Sequence, residues 1–221
     1  MASIQGVIFD MDGLMFDTEP IWGACWTSVC AKVGHEVPDG MVAAVRGRSG
    51  ESMIAMVRSY LGPDAPVEWL WEEEKRIVRE TIEREGIPKK PGLDELLTYL
   101  HDCQIPMAVA SSSTKAQIEA NLARHGIAAY FDVVVSGENL GTSKPDPALF
   151  LEAATLLGTD PRRTIVLEDA LTGVEAGWRG HFITIMVPDL TQPDEAARRR
   201  ATAIVERLDD VIDLIEEGGL G

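Results

Sequence analysis

From residue 93 onward, short apolar runs alternate with stretches in which apolar residues recur every three or four positions. The runs "PMAVA" at 106–110, "DVVVS" at 132–136, "TIVLE" at 164–168 and "FITIMV" at 182–187 read as strands buried on both faces, since a half-exposed strand would alternate apolar with polar residues. Between them, Leu93, Leu96, Leu97 and Leu100 keep the spacing of a helix stripe. Ile118 with Leu122, Leu149 with Ala153 and Leu156, and Leu208 with Val211, Ile212 and Ile215 mark three more. Strand and helix in succession imply an α/β fold, a doubly wound, Rossmann-like parallel sheet covered on both faces. In such sheets ligands collect beyond the carboxyl ends of the strands.

The stretch from about residue 17 to 88 follows a different rule, with helical stripes and no convincing strand. Trp22, Trp26, Val29 and Val33 form one stripe, Met53, Met56, Val57 and Tyr60 a second, and Val67, Leu70, Trp71 and Val78 a third. Thr18, Glu19 and Pro20 suit a helix start, and Gly86, Pro88, Pro91 and Gly92 suit a return through loops. The expected organisation is a core of residues 1–16 and 89–221 with a small all-helical cap, 17–88, inserted after the first strand. Four of the five tryptophans fall in the insertion, where most are expected to fill a small bundle core.

Composition narrows the function. A formal charge of −16 over 221 residues repels polyanions, so neither nucleic acid nor an anionic membrane is an expected partner. An anionic substrate must instead be captured by local positive groups. No run approaches the roughly 18–20 apolar residues of a membrane span, and the first strand follows the N-terminus too closely for a signal peptide, so the expected location is cytoplasmic. Three cysteines without CxxC spacing fit a reducing compartment.

Chemistry concentrates at the strand ends. Asp10 and Asp12 follow "GVIF", with Gly13 permitting a sharp turn, although a solvated turn would use the same residues. Ser111 opens "SSST" after the second strand, Lys144 sits in "GTSKPDP" beyond the third, and Glu168 and Asp169 follow "TIVL". Ser111 could also merely begin the turn into the next helix, with Ser112, Ser113 or Thr114 as its N-cap. The four sites nevertheless converge on one edge of one sheet. Asp146 reads as a helix-start residue, Asp17 and Glu19 as hinge and cap residues, and His35, His101, His125 and His181 lie away from all four sites.

In this order, "FDMDG", "VASSS", "KPDP" and "LEDALTGVEAG" resemble the four motifs of the haloacid dehalogenase superfamily over nearly the whole chain. The helical insertion is similar to the cap of its β-phosphoglucomutase and phosphoglycolate-phosphatase-like branch. The resemblance implies phosphoryl chemistry through an aspartyl-phosphate, with Asp10 as nucleophile and Asp12 as acid and then base. It also implies Mg²⁺ on Asp10, the Asp12 backbone carbonyl and Asp169, with Glu168 steadying Lys144 or a metal-bound water. Ser111 and Lys144 would meet the phosphoryl oxygens. Elementary chemistry agrees: carboxylate attack splits one difficult hydrolysis into two easier displacements, and Mg²⁺ takes hard oxygen ligands. Arg46, Arg48 and Ser112 are candidate substrate contacts, although the two arginines would also suit a solvated helix end.

Within the resembled superfamily, Asp12 argues against dehalogenation, and neither Lys32 nor Lys75 fits the cap lysine of phosphonatases. The resembled mutases place a histidine ten residues after the second aspartate, where Trp22 stands, and an arginine where Gly50 stands. The expected activity is therefore a Mg²⁺-dependent phosphatase acting on a small phosphorylated metabolite, a sugar or polyol phosphate. The alternatives are a β-phosphoglucomutase-type phosphomutase and, more remotely, a non-catalytic binding protein on the same fold. The sequence carries no signal of oligomeric state.

Overall fold

A computed structural model describes residues 4–17, 19–45, 50–189 and 191–218. Arg46 and Arg48 lie outside them. The chain divides into two compact units, Met1–Asp17 with Pro88–Gly221 and Thr18–Ile87. Among the described residues no helix is long and apolar enough to cross a membrane.

The first unit is built on six parallel strands: β1 (Gly6–Phe9), β2 (Met107–Ser111), β3 (Val133–Ser136), β4 (Thr164–Glu168), β5 (Ile183–Met186) and β6 (Ala203–Ile204). Their order across the sheet is β3-β2-β1-β4-β5-β6. Helices α5 (Leu93–Asp102), α6 (Lys115–Arg124), α7 (Ala148–Leu157), α8 (Leu171–Arg179), α9 (Glu195–Arg200) and α10 (Asp210–Glu216) belong to the same unit. Strands β1, β2 and β4 are buried at every position, which is why they read as continuous apolar runs. Alternation then divides them between faces. Ile8, Ala108, Ala110 and Val166 pack with Leu149, Phe150, Ala153 and Ala154 of α7 in one cluster.

Phe9 of β1 is in register with Val109 of β2 and Leu167 of β4. The chain runs outward from β1 through β2 to β3, then returns to β4 on the other side of β1. A crevice opens at such a reversal, beyond the carboxyl ends of β1 and β4. Asp10 emerges there.

The second unit holds α1 (Glu19–Lys32), α2 (Met41–Val45), α3 (Gly50–Leu61) and α4 (Val67–Glu85), with no strand among its described residues. Trp26, Val29, Cys30, Met41, Met53, Val57, Val67 and Leu70 form its core. The expectation that most tryptophans would fill this core is corrected: Trp26 is fully buried, Trp71 packs at the margin, and Trp69 is 46 % exposed. Leu156, expected in the α7 stripe, is also 59 % exposed, because Phe150 and Ala154 complete the buried face in its place.

One core position of α4 carries a charge-bearing group. Leu70, Glu74 and Val78 lie four residues apart on one face and are all buried, and neither Glu74 oxygen has a hydrogen-bond partner. Burial pushes the Glu74 carboxyl up to about 8; the Trp26 indole N–H opposes this only in part, standing near the carboxyl without forming a hydrogen bond of ordinary geometry. The neighbouring Cys25 and Cys30 thiols are raised by burial and then by Glu74 itself. Since the folded value lies above the unfolded value of 4.5, the folded state holds the extra proton between the two. The proton-linked stability is therefore complete below the unfolded value and is lost as pH climbs to the folded one, at up to about 1.4 kcal/mol per pH unit. Glu74→Leu is expected to raise Tm more at about pH 8 than at about pH 5. Equal gains at both, read by calorimetry, would contradict a buried proton at Glu74.

Candidate active site

The site begins where β1 ends. The Asp10 N–H donates to the Leu167 carbonyl at 3.1 Å, continuing the sheet by one residue and aiming a buried carboxyl over its edge. The chain then turns sharply: Gly13 N–H donates to the Phe16 carbonyl at 3.2 Å and Met15 N–H to the Met11 carbonyl at 2.9 Å. Gly13 adopts φ +89°, and a Cβ there would collide with the Asp169 carboxylate, so both conformation and space call for glycine.

Lys144, in the loop between β3 and α7, joins Asp10 to β4. Its ammonium donates to Asp10 Oδ1 and, at 2.5 Å, to Glu168 Oε1, and it lies 4.9 Å from the Phe150 ring centroid. Burial alone would lower the Lys144 pKa, but Asp10 and Glu168 outweigh it and hold the group protonated. The Glu168 side chain is 1 % exposed, and its second oxygen accepts from the Ala170 N–H at 2.8 Å, at the start of α8. A Cβ at Gly173, one turn into that helix, would occupy the space of the Glu168 carboxyl. The glycine of "ALTGVEAG" thus makes room for the acid that precedes it.

Asp10, Glu168 and Asp169 each offer an oxygen, and these atoms lie within 4.8 Å of one another. Against three carboxylates the cluster holds one ammonium, so two negative charges remain when all are ionised. The crowding is visible in the acids themselves. Burial first, with Glu168 and Asp12 adding and Lys144 opposing, pushes Asp10 up to about 7. Burial, then Glu168 and Asp10, pushes Asp169 up to about 8. Hard oxygen donors with a twofold charge deficit fit a divalent cation.

Asp12 takes no part in that carboxylate cluster. Its exposed side chain crosses to the loop after β2, where Ser113 Oγ donates to its Oδ2 at 2.7 Å and Ser111 Oγ stands 3.4 Å from the same oxygen. Ser111 is buried at the end of β2, and its hydroxyl accepts from the Ser113 N–H at 3.0 Å. Ser112 is exposed between them, with no hydrogen bond from its hydroxyl among the described residues. The structure therefore brings Asp10, Asp12, Ser111, Lys144, Glu168 and Asp169 to one sheet edge. It adds Ser113, which sequence reasoning weighed only as a helix cap; that position is filled by Thr114, in a reciprocal capping box with Gln117.

Comparison with known proteins places this site in a family. A phosphorylated carbohydrates phosphatase of Thermotoga maritima is 29 % identical over 177 residues, covering 78 % of this chain and 80 % of its own. Hexitol phosphatase B of Escherichia coli is 30 % identical over 197 residues, 84 % of each chain. Among solved structures, a β-phosphoglucomutase from Clostridium difficile superposes with a TM-score of 0.67 at 23 % identity, covering 98 % of this chain and 97 % of its own, and so shares the fold. The family model described as haloacid dehalogenase-like hydrolase matches residues 7–187, the span that carries all four strand-end sites, and this chain belongs to that family.

Proposed function

We propose that this chain is a Mg²⁺-dependent phosphatase that hydrolyses a small phosphorylated sugar or polyol through a phosphoaspartyl enzyme at Asp10. The observation that carries the reading is the pairing of two unlike acids: Asp10, buried and ion-paired with Lys144, and Asp12, exposed two residues later on the serine loop. The carbohydrate and hexitol phosphatases among its relatives support the substrate class.

Asp10, Asp169 and Glu168, with the Asp12 backbone carbonyl, would hold the Mg²⁺, which when bound supplies positive charge to an otherwise anionic site and so favours phosphate binding. Lys144 favours the ionised form of Asp10 against the effect of burial and donates to a phosphoryl oxygen as charge builds there. An Asp10 oxygen attacks phosphorus, the bond from phosphorus to the ester oxygen breaks, and Asp12 gives its proton to that oxygen. The alcohol leaves. Asp12, now a carboxylate, takes a proton from water as the water oxygen attacks phosphorus. The bond to Asp10 breaks, phosphate departs and Asp12 is again protonated. Ser111 donates a hydrogen bond to the transferring group, and Ser112 is left for the rest of the substrate. The helical unit, inserted directly after the strand that leads to Asp10, takes the role of a cap by its place in the chain.

A panel of hexose and hexitol monophosphates, assayed with Mg²⁺ and again with excess chelator, tests the reading. Metal-dependent phosphate release is expected. A sugar phosphate primed with its bisphosphate belongs on the panel. Isomerisation many times faster than phosphate release would replace the phosphatase reading with a mutase.

A further inference from the structure

We infer that Ser113 is a positioning residue that fixes the Asp12 carboxyl in the rotamer from which it hands its proton to the leaving oxygen. The inference rests on the acid role assigned to Asp12 above. Asp12 is exposed, and an exposed aspartate samples several rotamers unless a partner selects one. Ser113 supplies that partner, through the shorter of the two serine contacts to Oδ2. Both contacts fall on one oxygen. Oδ1 accepts no hydrogen bond among the described residues and is the oxygen left to face the departing group.

Ser113 is itself held on both sides. Its N–H donates to Ser111 Oγ at 3.0 Å, and its carbonyl accepts from Ser136 Oγ at 2.7 Å. Ser111 and Ser136 are register partners at the ends of β2 and β3, so two strands fix the backbone that aims this hydroxyl. A serine just before a helix usually serves to cap it. With Thr114 already closing the capping box of α6, the Ser113 hydroxyl has no helix terminus to serve. Its one partner among the described residues is the Asp12 carboxyl, in the neighbouring loop after β1.

A fixed acid matters most when the leaving group needs a proton as its bond breaks. An alkoxide does and a nitrophenolate does not. Misplacing a catalytic group by an ångström costs on the order of a hundredfold, so Ser113→Ala is expected to lower kcat/KM on a hexitol phosphate by roughly 10- to 100-fold; kcat/KM ends at transfer to Asp10 and leaves out the later step in which Asp12 acts as base for every substrate. That loss should exceed the loss in kcat/KM on p-nitrophenyl phosphate by at least about tenfold. Ser113→Thr keeps the hydroxyl and should recover most of the difference. Ser136→Ala should show the same selectivity in smaller measure, since it loosens Ser113 without touching Asp12.

Asp12→Asn, measured beside them, separates this inference from the reading beneath it. If Asp12→Asn is selective for the poor leaving group while Ser113→Ala is not, the positioning role is overturned and the acid role stands. If Asp12→Asn loses equally in kcat/KM on both substrates, the acid role falls and the positioning role with it. Ser113→Thr as impaired as Ser113→Ala also overturns the positioning role.

Discussion

Asp10→Asn is expected to lower kcat by at least about 10³-fold, the scale seen when a covalent nucleophile is removed. The amide nearly reproduces the carboxylate in shape but neither attacks phosphorus nor binds a hard cation well. The substitution also removes one negative charge from a buried group in which three carboxylates face one ammonium. Stability should therefore hold or rise, as is common where an active site carries unfavourable charge for function. An inactive variant with an equal or higher Tm is the expected pair of results. A kcat within about tenfold of the parent would remove Asp10 as nucleophile.

Lys144→Met is expected to cost about 2–4 kcal/mol of transition-state stabilisation, read from kcat/KM. It also leaves the buried Glu168 and Asp10 carboxylates without their cation, and breaking a buried ion pair from one side costs about 3–5 kcal/mol of stability. The two effects separate in a second variant. Adding Glu168→Gln removes one of the two stranded charges, so Lys144→Met/Glu168→Gln should recover part of the lost Tm while remaining as inactive as Lys144→Met. Recovery of activity along with stability would mean that Lys144 acts on the fold alone.

The strands that carry the site were the most legible part of the chain for a physical reason. β1, β2 and β4 are buried on both faces, so each shows as an unbroken apolar run ending at a polar residue, and the polar residue is the functional candidate. The elements that escaped sequence reading lack such contrast. β6 is two residues long, α9 is mostly charged with Ala197 as its buried residue, and α8 packs through Gly173 and Gly177 as much as through Val174 and Ala176, so its apolar signal is weak. α2, with five residues, is too short for a stripe.

Within the site, Asp10 and the Glu168–Asp169 pair could be proposed from where their strands end, and Lys144 from its place in "SKPDP", in the loop beyond β3. Ser113 could not be separated from Ser112 and Thr114 in "SSST", where any of the three suits a helix cap. Only the capping geometry of Thr114 shows which hydroxyl is left over. Glu74 was hidden by its neighbours in "WEEEKR", a run that reads as a solvated face. Its fourfold spacing from Leu70 and Val78 was the signal that distinguished it.

The central claim is that the phosphoryl group passes through Asp10 before reaching water, and the configuration at phosphorus tests it most directly. A substrate whose phosphate is chiral through oxygen isotopes is hydrolysed in isotopically labelled water, and the configuration of the released phosphate is read by phosphorus NMR. Transfer to Asp10 and then to water inverts phosphorus twice, so retention is the predicted result. Inversion would mean that water attacks the substrate directly, and would contradict the phosphoaspartyl mechanism whatever the substrate proves to be.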